Sequence, residues 1–182
     1  RISNIVKTLK KFVRLDEAEL QEANINKELD LTLELIRHET KTKEVIKNYS
    51  NLPTVKCYPN MLNQVFMNIL VNACQSMENG GTLTVTTETD KKNLIVKIKD
   101  TGKGIKKENL DKIFTAGFTT KGVGVGTGLG LAISQKIIEK HKGKITVKSE
   151  EGKGTEFTIT IPVWWIVFAY HNFSKINRLS TD

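Results

Sequence analysis

Apolar residues recur along this chain with two different periods, and the switches between them mark its elements. Ile2, Ile5, Leu9 and Phe12 are spaced three, four and three apart. That is the seam of a helical hairpin or coiled coil, or equally the buried face of an amphipathic helix on the same domain. The polar stretch 16–26 reads as a connector. Residues 29–41 follow a helical pattern, with Leu31, Leu35 and Ile36 on one side. Residues 44–49 alternate like a strand, and 52–58 are extended. Pro59 suits the first turn of a long helix reaching Met77, and Asn79-Gly80-Gly81 stops it. Residues 82–89 and 94–99 alternate on either side of Asp90-Lys91-Lys92-Asn93, a hairpin. A short helix follows near 106–113, then a loop over 114–128. Residues 129–140 are helical, with Leu131, Ile133, Ile137 and Ile138 as core candidates, and Gly143 ends them. A second hairpin pairs 145–149 with 156–161 around Glu151-Gly152-Lys153-Gly154. The sum is α+β: a two-layer sandwich of helices against a mixed, mostly antiparallel sheet.

Composition narrows the class. A chain of 182 residues can bury one good core and carry a small appendage. The net charge of +8 raises nucleic acid as a partner. However, the basic residues are scattered among acids, with no arginine-rich block and no aromatic-plus-basic strand, so nucleic-acid binding is not expected. Cys57 and Cys74 make no metal spacing and suit a reducing compartment. No stretch reads as a signal peptide or approaches the ~20 apolar residues that span a bilayer. The expected location is cytoplasmic, with a parent protein free to be membrane-anchored. Opening at Arg1 in mid-pattern, the chain reads as a fragment of something longer.

The candidate chemistry lies in the glycines. Gly122, Gly124, Gly126, Gly128 and Gly130 alternate along one run, about twenty residues after Asp100-Thr101-Gly102-Lys103-Gly104-Ile105. Such a run lets backbone N–H groups crowd around an anion, and it leads into a helix N-terminus, where phosphate binds well. No stretch supplies the Walker A spacing, the Rossmann G-x-G-x-x-G after a strand, or the protein-kinase glycine loop. The long helix adds a further feature. Leu62, Val65, Phe66, Ile69, Leu70, Ala73 and Met77 share one arc, and Gln64, Asn68, Asn72 and Gln75 share the neighbouring one. Asn68 and Asn72 thus point the same way, and an amide oxygen is a reasonable hard ligand for Mg²⁺.

Together these segments resemble the ATP-binding superfamily of gyrase, Hsp90, histidine kinases and MutL, and most nearly its histidine-kinase branch, whose fold is the Bergerat ATP-binding fold. Asn68-Ile69-Leu70-Val71-Asn72-Ala73 is similar to the N box, and Asp100 to Ile105 to the first glycine box. Ile113-Phe114-Thr115-Ala116-Gly117-Phe118-Thr119-Thr120-Lys121 is similar to the F box, and Gly126-Thr127-Gly128-Leu129-Gly130-Leu131 to the second glycine box. Gly152 to Phe157 resembles the closing hairpin, and Ile161-Pro162 the domain end. Gln64 to Met67 before the N box and Gln75 after it resemble the nitrogen-regulator type of sensor kinase.

The resemblance implies roles. Asp100 would accept a hydrogen bond from the adenine amino group, and Thr155 would assist through a water. Gly102, Gly104 and Ile105 would pass under the base. Asn72 would hold Mg²⁺, with Asn68 close to the metal and phosphates. Thr119, Thr120 and Lys121 would lie in a lid anchored by Phe114 and Phe118, with Lys121 near the phosphates. Gly126, Thr127, Gly128, Leu129, Gly130 and Leu131 would surround the triphosphate. Hydrolysing members carry a glutamate where this chain has Asn68, and a neutral amide cannot act as a general base. Phosphoryl transfer mostly needs positioning and charge stabilisation, so it survives that change.

The resemblance therefore implies a protein histidine kinase that passes the ATP γ-phosphoryl to a histidine on its own dimerisation domain, with a response-regulator aspartate as the next acceptor. The parent is expected to be a homodimer, with the fragment a monomer. Residues 1–23 would end the dimerisation helix and its linker, 24–163 form the catalytic domain, and 164–182 form a tail with no family counterpart. That tail suits an interaction segment, a lipid-surface anchor or vector-derived read-through. His38-Glu39 is not the phosphoacceptor: it lies downstream of the dimerisation segment, and its histidine reads as a surface residue. His141 reads as a cation at a helix C-terminus, and His171 falls in the tail. The competing readings are a nucleotide-sensing interaction module, an ATPase of the gyrase or MutL sort, and a serine kinase of the same fold.

Overall fold

Asn24 ends the polar N-terminal stretch by capping a helix: its side-chain oxygen accepts from the Lys27 N–H at 3.2 Å. The computed structural model describes residues 19–90, 92–121 and 126–162. The seam of Ile2 to Phe12, Gly122 and Gly124, His171 and the rest of the tail lie outside the described residues. The capped helix is α1 (Ile25–Leu35). Ahead of it, the stretch expected to be a connector contributes β1 (Gln21–Ala23), which pairs antiparallel with β3 (Val55–Cys57).

Starting at Ile25 shifts the buried face of α1. Ile25, Leu29, Thr32 and Leu33 are buried, and Ile36 follows them, whereas Leu31 and Leu35 are 59% and 70% exposed. The expected face was drawn from a helix that begins four residues too late. Thr32 tolerates burial because its hydroxyl donates back to Glu28 O at 2.8 Å. The short α2 (Arg37–Thr40) leads into β2 (Glu44–Tyr49), and His38 there is exposed, as expected.

Pro59 begins α3 (Pro59–Ser76). Met61, Leu62, Val65, Phe66, Ile69, Leu70, Ala73 and Cys74 form its buried stripe. Truncating one such residue, Ile69→Ala for example, costs about 2–5 kcal/mol through lost burial and the cavity left. The stripe packs on a five-stranded sheet of β4 (Thr82–Thr89), β5 (Asn93–Asp100), β6 (Lys144–Glu150), β7 (Gly154–Pro162) and β2, in the order β2-β4-β5-β7-β6. Among the described residues only the β2–β4 pair is parallel, because α3 intervenes as a crossover between them.

Alternation sets the two faces of the sheet. Leu94, Val96, Ile98 and Asp100 of β5 are buried, as are Thr155, Phe157, Ile159 and Ile161 of β7. The apolar row on each strand thus ends in a polar residue, and the register puts Asp100 opposite Thr155. The last helix, α4 (Gly130–Lys140), lies on the helical layer beside α3 and buries Ile133, Ile137 and Ile138, while Leu131 is only half-buried. His141, at the end of α4, is fully buried rather than a solvated cation. Its Nδ1 bonds to Ile137 O at 2.8 Å, and its Nε2 accepts from the Tyr58 N–H at 3.2 Å. Burial holds its pKa below the usual histidine value.

Candidate functional site

Beside its buried stripe, α3 presents Asn68, Val71, Asn72 and Gln75 along one flank. They form one wall of a cleft of about 780 Å³. The floor comes from the end of β5 and the start of β7, the far wall from the loop over 103–121, and one end from the N-terminus of α4.

At the floor, Asp100 is 3% exposed. Its Oδ1 accepts from the Gly102 N–H at 2.8 Å and the Thr155 N–H at 3.3 Å. Ser76 Oγ lies 3.0 Å from that same oxygen and 2.8 Å from Ala73 O, so its one proton is divided between them. All these donors converge on Oδ1, so Oδ2 keeps its accepting capacity for a group in the cleft. Burial raises the Asp100 pKa, and the bonds from Gly102, Ser76 and Thr155 work against that rise. The turn after Asp100 requires glycine: Gly104 has φ +69°, and a Cβ there would stand 2.1 Å from Glu150 O. The Ile105 N–H donates to Ser149 Oγ at 2.9 Å, which fastens this turn to the β6–β7 hairpin.

The opposite end of the cleft is built from donors and amide oxygens. Among the described residues no side chain caps the N-terminus of α4, and its first turn carries no acidic residue, so its N–H groups and positive pole are available to an anion. Asn68 Nδ2 donates to Gly130 O at 3.0 Å and to Ser134 Oγ at 3.2 Å, tying α3 to that first turn. Lys121 Nζ donates to Asn72 Oδ1 at 2.8 Å and also to Gln75 Oε1. Burial, then repulsion from Lys103, lowers the Lys121 pKa, and Glu39 opposes the shift. The Gly117 N–H donates to Gly128 O at 3.0 Å, so the two ends of the expected lid are joined by backbone. Phe114 and Phe118 pack partly buried against the core on the near side of that join.

Asn68, Asn72, Asp100, Gly104, Ile105, Thr119, Thr120, Lys121, Gly126, Thr127, Gly128, Gly130, Leu131 and Thr155 all line this one cleft. Gly102 and Leu129 do not: Gly102 sits behind Asp100 as its donor, and Leu129 is the residue before α4. The Thr155 hydroxyl is paired with Ser149 Oγ at 3.0 Å, and it is the Thr155 backbone that reaches Asp100. Ser76 was not expected here, and Gln75 was placed on the Asn68 arc without a role. Their signal was the helical spacing: Gln75 follows Asn68 by seven residues and Ser76 follows Asn72 by four.

A divalent cation fits this end of the cleft. Asn72 Oδ1 and Gln75 Oε1 already face a cation, the Lys121 ammonium. Among the described residues no cluster of three or more His, Cys, Asp or Glu could hold a metal alone. Such an ion would therefore take most of its ligands from water and from a bound phosphate, as Mg²⁺ commonly does.

Comparison with known proteins gives a consistent picture. Residues 57–164 match the family described as histidine kinase-, DNA gyrase B- and HSP90-like ATPase. Sensor histidine kinase ZraS of Escherichia coli K12 is 36% identical over 166 residues, covering 90% of this chain and 35% of that protein. Sporulation kinase E of Bacillus subtilis is 46% identical over 114 residues, covering 62% of this chain and 15% of that protein. The chain thus spans about a third or less of the length of these relatives. The catalytic domain of histidine kinase ThkA superposes with a TM-score of 0.72 at 30% identity, covering 80% of this chain and 98% of that one. Full-length ShkA in complex with AMPPNP superposes with a TM-score of 0.71 at 28% identity, covering 80% of this chain and 31% of that one.

Proposed function

This chain belongs to the histidine kinase-, DNA gyrase B- and HSP90-like ATPase family and carries an ATP-binding catalytic domain of the histidine-kinase branch, and from that premise we propose that its parent protein transfers the ATP γ-phosphoryl to a histidine. The acceptor would sit on the parent's dimerisation domain, and a response-regulator aspartate would receive the group afterwards. Among the described residues no helix is long and apolar enough to cross a membrane.

The observation that carries this reading is the polarity of the cleft. A buried carboxylate with one oxygen held by the protein lies at one end, and an uncapped helix N-terminus with a lysine and amide oxygens lies at the other. Asp100 Oδ2 accepts from an exocyclic amine and repels a carbonyl oxygen, which selects adenine over guanine. The N–H groups at the start of α4 receive phosphate oxygens. Asn72 would hold Mg²⁺, which when bound neutralises charge developing on the transferred group. Asn68 offers no general base, and its donor is committed to Gly130 and Ser134, so water is not activated from this position.

The test is to incubate this chain with labelled ATP, Mg²⁺ and a separately produced dimerisation domain of a related kinase. Acid-labile phosphohistidine on that domain is the expected product. Full nucleotide binding with no transfer to any such domain would overturn the kinase reading and leave only a nucleotide-binding one.

A further inference from the structure

Gln75 follows the N box and was given no role by the sequence, yet its side chain closes a contact across the cleft. Lys121 comes from the loop that follows Phe118, and its ammonium bonds to Asn72 Oδ1 at 2.8 Å and to Gln75 Oε1. The two acceptors are three residues apart on α3, so they project from the same flank. The lysine backbone is set as well, since its N–H donates to Thr119 Oγ1 at 3.1 Å. Gly126 makes room for this arrangement: a Cβ there would stand 2.7 Å from Thr119 Oγ1 and 3.4 Å from Lys121 Cβ and Cδ. Among the described residues no carboxylate lies within ion-pair distance of Lys121.

We propose that Asn72 and Gln75 form a socket for the Lys121 ammonium, a built-in counter-ion that Mg²⁺·ATP must displace to reach Asn72. The inference rests on the nucleotide reading above for the identity of the displacing ligand, but the socket itself is a property of the protein alone. Its acceptors are neutral dipoles, so the contact is strong enough to hold the lysine and weak enough to be exchanged. A divalent ion competes for the same Asn72 oxygen, and phosphate then offers the released lysine a full negative charge. Gln75 is in this sense a positioning residue: it holds the lid lysine and sets how readily nucleotide displaces it.

Limited trypsin digestion without nucleotide or Mg²⁺ reads the socket directly, because a lysine held by its ammonium cannot enter the protease. Cleavage after Lys121 would be measured by mass spectrometry against cleavage after the exposed Lys112, in wild type, Gln75→Met and Gln75→Glu. Gln75→Met keeps the helix and the volume but removes the acceptor. It should raise the Lys121 ratio about tenfold, the factor for one charge-assisted hydrogen bond, whereas Gln75→Glu should lower it. In calorimetry, Gln75→Met should then bind Mg²⁺·ATP more tightly and Gln75→Glu more weakly. An unchanged digestion ratio in both variants would overturn the socket whatever the nucleotide does. The expected digestion pattern in a protein that binds no ATP would keep the socket and sink the nucleotide reading instead. Weaker ATP binding in Gln75→Met would show that Gln75 serves the ligand and not the lysine, and would overturn the displacement.

Discussion

Asp100 and Thr155 stand directly opposite each other on β5 and β7, and the Thr155 N–H donates to the Asp100 carboxylate at 3.3 Å. The pair ends two otherwise apolar rows, so the ligand acceptor is held where the core begins. Burial raises the Asp100 pKa above its ordinary value. A carboxyl whose folded pKa exceeds its unfolded one weakens the fold at pH above both, and that cost disappears as pH falls through the folded pKa. Asp100→Asn should therefore keep or raise the thermal midpoint near neutral pH, with the gap to wild type narrowing on acidification. ATP affinity should fall at least about tenfold, because an amide N–H replaces the acceptor that faces the adenine amine. Thermal melts across the acid range and calorimetry check both halves. Unchanged affinity would contradict the adenine assignment.

Asn68 should matter for architecture before it matters for chemistry. Its amide joins α3 to Gly130 O and Ser134 Oγ. Asn68→Ala removes the donor and leaves both oxygens without it, at a cost of about 1–3 kcal/mol in urea unfolding. Nucleotide affinity should fall with it, since the N-terminus of α4 loses its anchor. A variant of unaltered stability would show that the tie contributes nothing.

Much of this site was legible in the sequence because it is written in short spacings. The Asn68/Asn72 pair, the glycine turn after Asp100 and the approach to Gly130 are each local, and all meet in one cleft. What sequence could not supply depends on where helices begin and on what long-range partners take. The buried face of α1 was misassigned because Asn24, not a residue near Leu29, caps it. His141 was misread because the Tyr58 N–H that holds it lies 83 residues away. Gln75 was placed on the correct arc, but its role depends on a lysine from a loop whose path no periodicity reveals.

The turn at Gly104 should be intolerant of any side chain. Gly104→Ala forces φ +69° on an L-residue and a Cβ into Glu150 O at 2.1 Å. Left-handed strain alone costs on the order of 1–2 kcal/mol, and the clash must also move the β6–β7 hairpin. A lower thermal midpoint and weaker ATP binding are expected together, because the same turn carries the Gly102 N–H that holds Asp100. A full-affinity variant would mean that the turn relaxes without disturbing Asp100.

His141 should make the fold acid-sensitive in a defined direction. Burial, partly offset by the bond to Ile137 O and reinforced by Lys140, keeps its folded pKa below the ordinary histidine value of about 6.5. Above that value both folded and unfolded states are neutral, and the histidine contributes its full stability. Below it the unfolded chain gains a proton that the folded one excludes, so stability falls until the folded pKa is reached and then levels. Protonation would also cost the bond that Nε2 accepts from the Tyr58 N–H at 3.2 Å, the link between the end of α4 and the start of α3. His141→Gln keeps a polar side chain but does not titrate, so its urea midpoint should lose this part of the pH dependence. Measured as the difference between wild type and variant, the effect should shrink steadily from neutral pH into the acid range. A difference that stays constant with pH would mean that His141 does not titrate there in either state.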